Sequence, residues 1–251
     1  MALWRPGKEI VLLTNPIGRK LLNGLTGYWP LDEASGTRAD QSGNVLTLTD
    51  NNSVLSVAGP SSKLPVAALF DGVNQSLSRT SSALLQTGNI DFTVRLWVRP
   101  TTIAGVGVFQ TIAGKGSGVA GSIEWQLYTG NNNGVVRFLV SSDGTATTTV
   151  TTSNALVAGQ WSHVCAWHDA VNDTVNVQVD GGPVASSAYA SGLTALTGVL
   201  TLAINGDLAA APFACREAGV LFSKRIWSAQ ERAYDYNNGN GRQLVLGRGL
   251  V

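Results

Sequence analysis

Aromatic rings and planar polar side chains occur together at several places in the sequence, and this combination can bind a sugar. A flat ring covers the apolar face of a sugar, while amide and guanidinium groups form hydrogen bonds with its hydroxyls. One tryptophan shares a predicted strand face with two arginines, two other aromatic residues precede an asparagine-rich loop, and a second loop is polar. The candidate ligand-binding residues are therefore Trp97, Trp125, Tyr128, Asn131, Asn132, Asn205 and Asp207. The alternative is that the tryptophans, including Trp161 and Trp167, fill the space between two sheets, as large aromatic side chains usually do.

Groups that could perform catalysis are isolated in the sequence. Glycoside hydrolysis needs two carboxylates facing one bond, about 5–5.5 Å apart in retaining enzymes, whereas Glu124 stands alone between Ile123 and Trp125. His163 and His168 are five positions apart on one predicted strand, so they point to opposite faces. The chain has no Gly-x-Ser-x-Gly nucleophile motif. We expect a non-catalytic protein, and a glucanase acting through Glu124 is the weaker alternative.

The composition limits the classes of partner. The 251 residues have a net charge of +1 and only 13% charged residues, against about 25% in an average domain. The first 25 residues sum to +3 and the last 11 to +2, which leaves −4 between them. Near-neutrality gives no reason to expect nucleic acid, and no apolar run is long enough for a signal peptide or a membrane span. Cys165 and Cys215 are expected to be free thiols, with one disulfide as the alternative.

The predicted elements are short strands separated by Gly/Asn turns. Apolar residues alternate with others from 92 to 98, which predicts a half-buried strand. Segments 123–128 and 135–140 form a predicted hairpin with an Asn-Gly turn, and 161–168 pairs with 174–179. Ser228 and Glu231 form a capping box for one short helix ending near Asn237. Many strands and one late helical turn favour a two-sheet sandwich, preceded by an irregular arm over residues 1–24.

Seven segments in order resemble the laminin G-like, concanavalin A-like jelly roll of lectins, pentraxins and carbohydrate-binding modules. They include the Asp-x-Ser-Gly loop, the Phe-Asp-Gly turn, the Trp-x-His-Val strand and the Tyr-Asn-x-Gly ending, and they lie at residues 27–36, 40–44, 70–74, 91–100, 161–164, 179–181 and 225–239. The resemblance implies an all-β fold, a two-sheet antiparallel jelly-roll sandwich with one short C-terminal helical turn and an extended N-terminal arm. The implied domains are an arm at 1–24, a sandwich at 25–240 and a C-terminal tail at 241–251.

The resemblance also raises the question of calcium. Family members that bind calcium use acids in the Phe-Asp-Gly turn and in a late Ile-Asp-Glu-Val strand. Here Asn74 stands where an acid is frequent, and Ala218 and Gly219 occupy the late positions. Because calcium takes about 6–8 oxygen ligands, we expect no cofactor. If calcium is retained, Asp71 and Asn74 are its candidate ligands.

A recognition fold without an export signal suggests a lectin-like module of an extracellular assembly, such as a bacteriophage virion protein in a capsid decoration or a tail. Virion proteins are released by lysis and need no leader. The expected partners are other structural subunits in an oligomer or lattice, and cell-surface glycans, without nucleic acid or membrane insertion. A free, extracellular carbohydrate-binding protein is the alternative. The expected anchoring residues are Trp4, Arg5, Lys8, Arg19 and Lys20.

Overall fold

The computed structural model describes residues 15–116, 122–206 and 211–244, which form two antiparallel β-sheets facing each other across an apolar core. The first sheet has eight strands in the order β13-β12-β11-β6-β15-β4-β3, with β1 also paired to β15, and the second has seven in the order β10-β9-β8-β7-β14-β5-β2. The strands are β1 Leu25–Trp29, β2 Thr49–Asn51, β3 Leu55–Ser61, β4 Leu64–Asp71, β5 Ser76–Arg79, β6 Phe92–Pro100, β7 Phe109–Lys115, β8 Trp125–Gly130, β9 Val135–Ser141, β10 Thr147–Ala155, β11 Ser162–Asp169, β12 Thr174–Val179, β13 Val184–Ala188, β14 Leu200–Leu202 and β15 Ala214–Ser223. The predicted sandwich and both predicted hairpins are confirmed.

The core lies between the two sheets because each strand directs alternate side chains inward. On β6 the inward side chains include Phe92, and on β15 they include Phe222, whose ring centroids are 5.8 Å apart. Trp125 of the second sheet stacks on Phe222 at 6.4 Å, with ring planes 8° apart. These rings join the two sheets through one continuous apolar cluster.

A helix covers the outer face of the eight-stranded sheet. This helix, α2 Ala229–Tyr236, begins at the predicted capping box of Ser228 and Glu231 and ends at Asn237, which has a left-handed conformation. A 3₁₀ turn follows at Asn237–Gly239. The strand predicted to be half-buried is instead buried on both faces over residues 92–98, because α2 packs over Arg95 and its neighbours. No helix in the described parts of the chain is long and apolar enough to cross a membrane.

Residues 15–24 are not the extended arm that was predicted. Asn15 caps a short helix, α1 Pro16–Lys20, by accepting hydrogen bonds from two backbone N–H groups. Leu21 follows this helix and is fully buried with Tyr28, Trp227 and Leu244. Leu21 precedes the predicted start of the sandwich at residue 25, and Leu244 follows its predicted end at residue 240. The packed unit therefore extends beyond both predicted boundaries. Residues 1–14 and 245–251 lie outside the described residues.

The two cysteines are buried free thiols, as predicted. Cys215 belongs to the core between the sheets, whereas Cys165 alternates with the inward residues of β11 and lies on the outer face beneath α2. Burial raises the pKa of Cys165 to about 12. Neither thiol is therefore a ready nucleophile.

Candidate functional site

Three side chains meet on the outer face of the seven-stranded sheet, and we call them the aromatic surface: Phe109, Tyr128 and Arg137. The Phe109 and Tyr128 rings meet edge to face, with centroids 5.4 Å apart. The Arg137 guanidinium carbon lies 5.8 Å from the centroid of Phe109 and 5.9 Å from that of Tyr128. Phe109 is 43% exposed, so the cluster presents an accessible aromatic face.

The register of strands β7, β8 and β9 brings these side chains together. Tyr128 pairs directly with Arg137 across β8 and β9, and directly opposite positions have side chains within contact distance. Phe109 pairs with Gly130, which has no side chain, so its ring is free to lean towards Tyr128. Leu127, next to Tyr128 on β8, and Phe138, next to Arg137 on β9, point into the core and hold the two strands in place.

An asparagine loop borders the aromatic surface. Asn131 and Asn132 both have positive φ values, 56° and 60°, which asparagine tolerates better than most residues. The backbone N–H of Asn131 donates to the carbonyl of Val108 at 2.8 Å, and its side-chain oxygen accepts from Gly107 N–H at 2.8 Å. Asn132 is exposed, and its N–H donates to Ala104. The loop after β8 is thereby fixed against the loop before β7.

The valines beside the asparagine loop are exposed, and the Arg137 guanidinium has few polar partners. Val106 and Val108, on the loop that contacts Asn131, are 80% and 53% exposed. Within the described residues Arg137 forms no ion pair, and its only hydrogen bond is a long one of 3.5 Å to the carbonyl of Val135. Exposed rings beside a guanidinium with free donors suit a ligand that has apolar faces and hydroxyl groups.

Residues 71–231 match the family model described as the concanavalin A-like lectin/glucanases superfamily, a segment longer than half of the chain. The chain belongs to this superfamily. No curated protein sequence matched the chain.

Solved structures similar to this superfamily member include toxin binding domains. The binding domain of Paraclostridial Mosquitocidal Protein 1 has a TM-score of 0.70 at 14% identity, covering 86% of this chain and 53% of that one. A structure of botulinum neurotoxin type C, whose cell entry depends on interaction with two ganglioside molecules, has a TM-score of 0.68 at 11% identity, covering 88% and 52%. The binding domain of botulinum neurotoxin DC in complex with SialylT has a TM-score of 0.60 at 10% identity, covering 87% and 52%. This superfamily member spans about half the length of those chains, and the likeness concerns the fold.

Two tryptophans predicted to bind ligand are buried in this superfamily member. Trp97 is 2% exposed and stacks beneath Tyr236 at 6.0 Å, on the outer face of the other sheet. Trp125 is also 2% exposed and lies between the sheets. Burial leaves neither indole accessible to a ligand at the surface. Trp125 fills the space between the sheets, which is the packing alternative considered for it, whereas Trp97 is buried on the outer face of its sheet beneath Tyr236.

Some of the other residues predicted to bind a ligand or a partner lie at or next to the aromatic surface, and the rest lie elsewhere in the chain. Tyr128 belongs to the aromatic surface, and Asn131 and Asn132 lie in the loop that borders it. Asn205 is partly buried, and its side-chain oxygen accepts from Gly206 N–H at 2.7 Å. Asp207 and the anchoring candidates Trp4, Arg5 and Lys8 lie outside the described residues, whereas Arg19 and Lys20 are exposed in the last turn of α1.

Sequence reasoning missed Phe109 and Arg137. Their signal was alternation: Arg137 lies between the inward residues Val136 and Phe138, and Phe109 begins a short strand after an apolar, glycine-containing loop. Neither signal indicates that the two side chains are neighbours.

The candidate calcium ligands do not fit a calcium ion. One carboxylate oxygen of Asp71 accepts hydrogen bonds from the N–H groups of Val73, Asn74 and Gln75. Burial alone would raise the pKa of Asp71, but these donors outweigh it and lower the pKa. The Asn74 carbonyl already accepts from the Asn52 side chain at 2.7 Å. Across residues 15–116, 122–206 and 211–244, no group of three or more His, Cys, Asp or Glu side chains could hold a metal.

Glu124 has a structural environment that does not suit a glucanase acid. It is fully buried, and one oxygen lies 2.7 Å from the Lys115 ammonium and accepts from Leu196 N–H at 3.0 Å. The other oxygen accepts from the backbone and hydroxyl of Thr87. A carboxylate with both oxygens engaged inside the protein cannot reach a glycosidic bond.

Proposed function

We propose that this domain is a non-catalytic carbohydrate-binding module that holds a glycan at the aromatic surface. The carrying observation is the exposed Phe109–Tyr128 pair with a guanidinium whose donors are almost unused. Sugars present both apolar faces and hydroxyls, so they match this set better than a purely apolar ligand does. The similar neurotoxin structures, one of a toxin that interacts with gangliosides and one in complex with SialylT, support this proposal at the level of the fold.

A glycan array followed by calorimetric titration tests the proposal. The purified chain should bind at least one polysaccharide, and Phe109→Ala should weaken that binding about two- to ten-fold, since stacking contacts on aromatic rings contribute about 0.5–1.5 kcal/mol beyond buried area. Arg137→Gln should weaken it to a similar degree. Val171→Ala is the matched control, because Val171 is 82% exposed on a turn of the other sheet. Absence of glycan binding, or binding that both site variants leave unchanged, would reject the proposal.

We further propose that the module is displayed on an extracellular assembly, such as a bacteriophage particle, through its basic N-terminal region. The supporting observation is that Arg19 and Lys20 are exposed at the end of α1, while +3 of charge lies within the first 25 residues. Buried Leu21 limits the part of this region that can be removed safely. Removal of residues 1–14, with Arg19→Gln and Lys20→Gln, should leave a folded module that no longer co-sediments with purified particles. Unchanged co-sedimentation, or a wild-type chain absent from particles, contradicts display.

A further inference from the structure

Two arginines lie directly opposite each other on the outer face of the eight-stranded sheet. Arg99 of β6 and Arg216 of β15 are partners in the antiparallel register, so their Cβ atoms are about 4.5–5.5 Å apart. Both side chains are partly exposed. Like charges at directly opposite positions destabilise a sheet, so the repulsion between these two guanidinium groups needs a negative charge nearby to offset it.

The described residues supply no carboxylate to this pair. Arg99 Nε donates to the Gly159 carbonyl at 2.6 Å, and the side chain of Arg216 makes no hydrogen bond or ion pair within the described chain. Asp71 lies across from Ala214 on the neighbouring strand β4, but three backbone N–H groups occupy one of its oxygens. Each guanidinium has five N–H donors, so most donors of the pair are free.

The two guanidinium groups border a pocket of about 200 Å³ lined by Arg99, Pro100, Thr101, Gly159 and Arg216. Backbone hydrogen bonds fix its walls: Gly159 N–H donates to Pro100 at 2.8 Å, and Thr101 N–H donates to Ala214 at 2.8 Å. Pockets for drug-sized ligands are about 300–1,000 Å³. This smaller pocket suits a single charged substituent.

An indole lies near the arginine pair on the same sheet. Trp161 immediately precedes Ser162 of β11, which is opposite Val98 of β6, the residue before Arg99. Trp161 is partly buried and packs against the cluster that contains Trp97 and Ala218. A guanidinium pair with a neighbouring aromatic ring is suited to a charged sugar better than to a free inorganic ion.

We propose that Arg99 and Arg216 bind the carboxylate or sulfate group of an acidic saccharide. Arginine forks match the geometry of these oxyanions and bind them in bidentate fashion, and a bound anion removes the repulsion between the two guanidinium groups. The anion site itself is independent of the aromatic surface, because the two lie on different sheets. Only the saccharide identity of the ligand rests on the proposed function.

The test titrates the full chain with matched pairs of oligosaccharides: sialylated and desialylated, and sulfated and desulfated. We expect the charged member of at least one pair to bind about ten-fold more tightly, because hydrogen bonds between a guanidinium and an oxyanion are charge-assisted and stronger than neutral ones. Arg99→Gln and Arg216→Gln should each abolish that preference and leave the uncharged member unaffected, and Arg216→Lys should restore only part of it. Lys63→Gln, a change at an exposed cation outside the pocket, is the control.

A second measurement separates this proposal from the proposed function. Thermal unfolding with sodium sulfate against sodium chloride should show a sulfate-specific increase in Tm for the wild type that is smaller for Arg216→Gln. Equal binding of charged and uncharged glycans overturns the acidic-saccharide site and leaves glycan binding intact. A sulfate effect that depends on Arg216 without any glycan binding supports the anion site and overturns its saccharide identity. Equal sulfate effects in wild type and variant overturn the anion site itself.

Discussion

The Asp235 carboxylate on α2 accepts a hydrogen bond from Arg95 on β6 at 2.5 Å, and both side chains are fully buried. The second carboxylate oxygen lies 2.9 Å from Nε2 of His163 on β11. Burial opposes ionisation of Asp235, but Arg95 and His163 outweigh it and lower its pKa. One residue of the helix is therefore joined to two adjacent strands of the sheet beneath it.

Asp235→Asn should destabilise the fold by about 3–5 kcal/mol, because Arg95 would remain buried without its counter-charge. Urea unfolding measured by tryptophan fluorescence checks this value. Asp173→Asn is the control, since Asp173 is exposed with a positive φ that asparagine accepts, and its cost should stay within about 0.5 kcal/mol. Similar costs for both variants would mean that the buried pair adds nothing beyond a surface charge.

The same carboxylate should make the fold acid-sensitive. A lowered pKa means that Asp235 contributes stability above its unfolded pKa of about 3.8 and loses it as the pH falls through the folded value. The free energy of unfolding should therefore decrease below about pH 4. Asp235→Asn should remove part of that decrease; an unchanged acid limb in the variant would assign the sensitivity to other groups.

Glu217 should produce the opposite pH dependence. It follows Cys215 on the inward face of β15, is fully buried, and its Oε2 has no hydrogen-bond partner in the described chain. Burial raises its pKa well above the ordinary value, so the folded protein keeps a proton that the unfolded chain releases above about pH 4.5. Stability should fall as the pH rises above about 4.5 towards the raised pKa of the folded state, and Glu217→Gln should flatten this slope. Urea unfolding at each pH provides the measurement, and parallel slopes would refute the assignment.

Glu124→Gln distinguishes a structural carboxylate from a catalytic one. It should destabilise the fold by about 3 kcal/mol, because Lys115 stays buried without its partner. Neither wild type nor variant should release reducing sugar from glucans. A wild-type activity that disappears in a variant of unchanged stability would restore the glucanase alternative.

Leu21→Ala should destabilise the fold by about 2–5 kcal/mol, as expected for a fully buried leucine. Leu84→Ala, at a position 42% exposed, should cost no more than about 0.5 kcal/mol. Thermal unfolding of both variants decides whether residues 15–24 belong to the folded unit. Equal Tm values for the two variants would mean that residues 15–24 form an arm outside the folded unit, as the sequence predicted.

Local sequence patterns predicted the strands well because strand periodicity and turn chemistry act over a few residues. The alternation in β6, the Asn-Gly hairpin before β9 and the capping box of α2 each carry their own physical reason. Helix α1 was missed because its five residues are too few to show a helical period.

The candidate site could not be predicted from such local patterns. Alternation placed Trp97, Arg95 and Arg99 on one face of β6. It could not show that α2 covers Trp97 and Arg95, or that Arg99 lies beside Arg216 of the neighbouring strand. The sequence by itself determined the sandwich and its turns. Only the tertiary structure decided which aromatic and charged side chains reach solvent together, because that depends on strand register and on what packs over each face. Phe109, Tyr128 and Arg137 become one surface only when β7, β8 and β9 lie side by side.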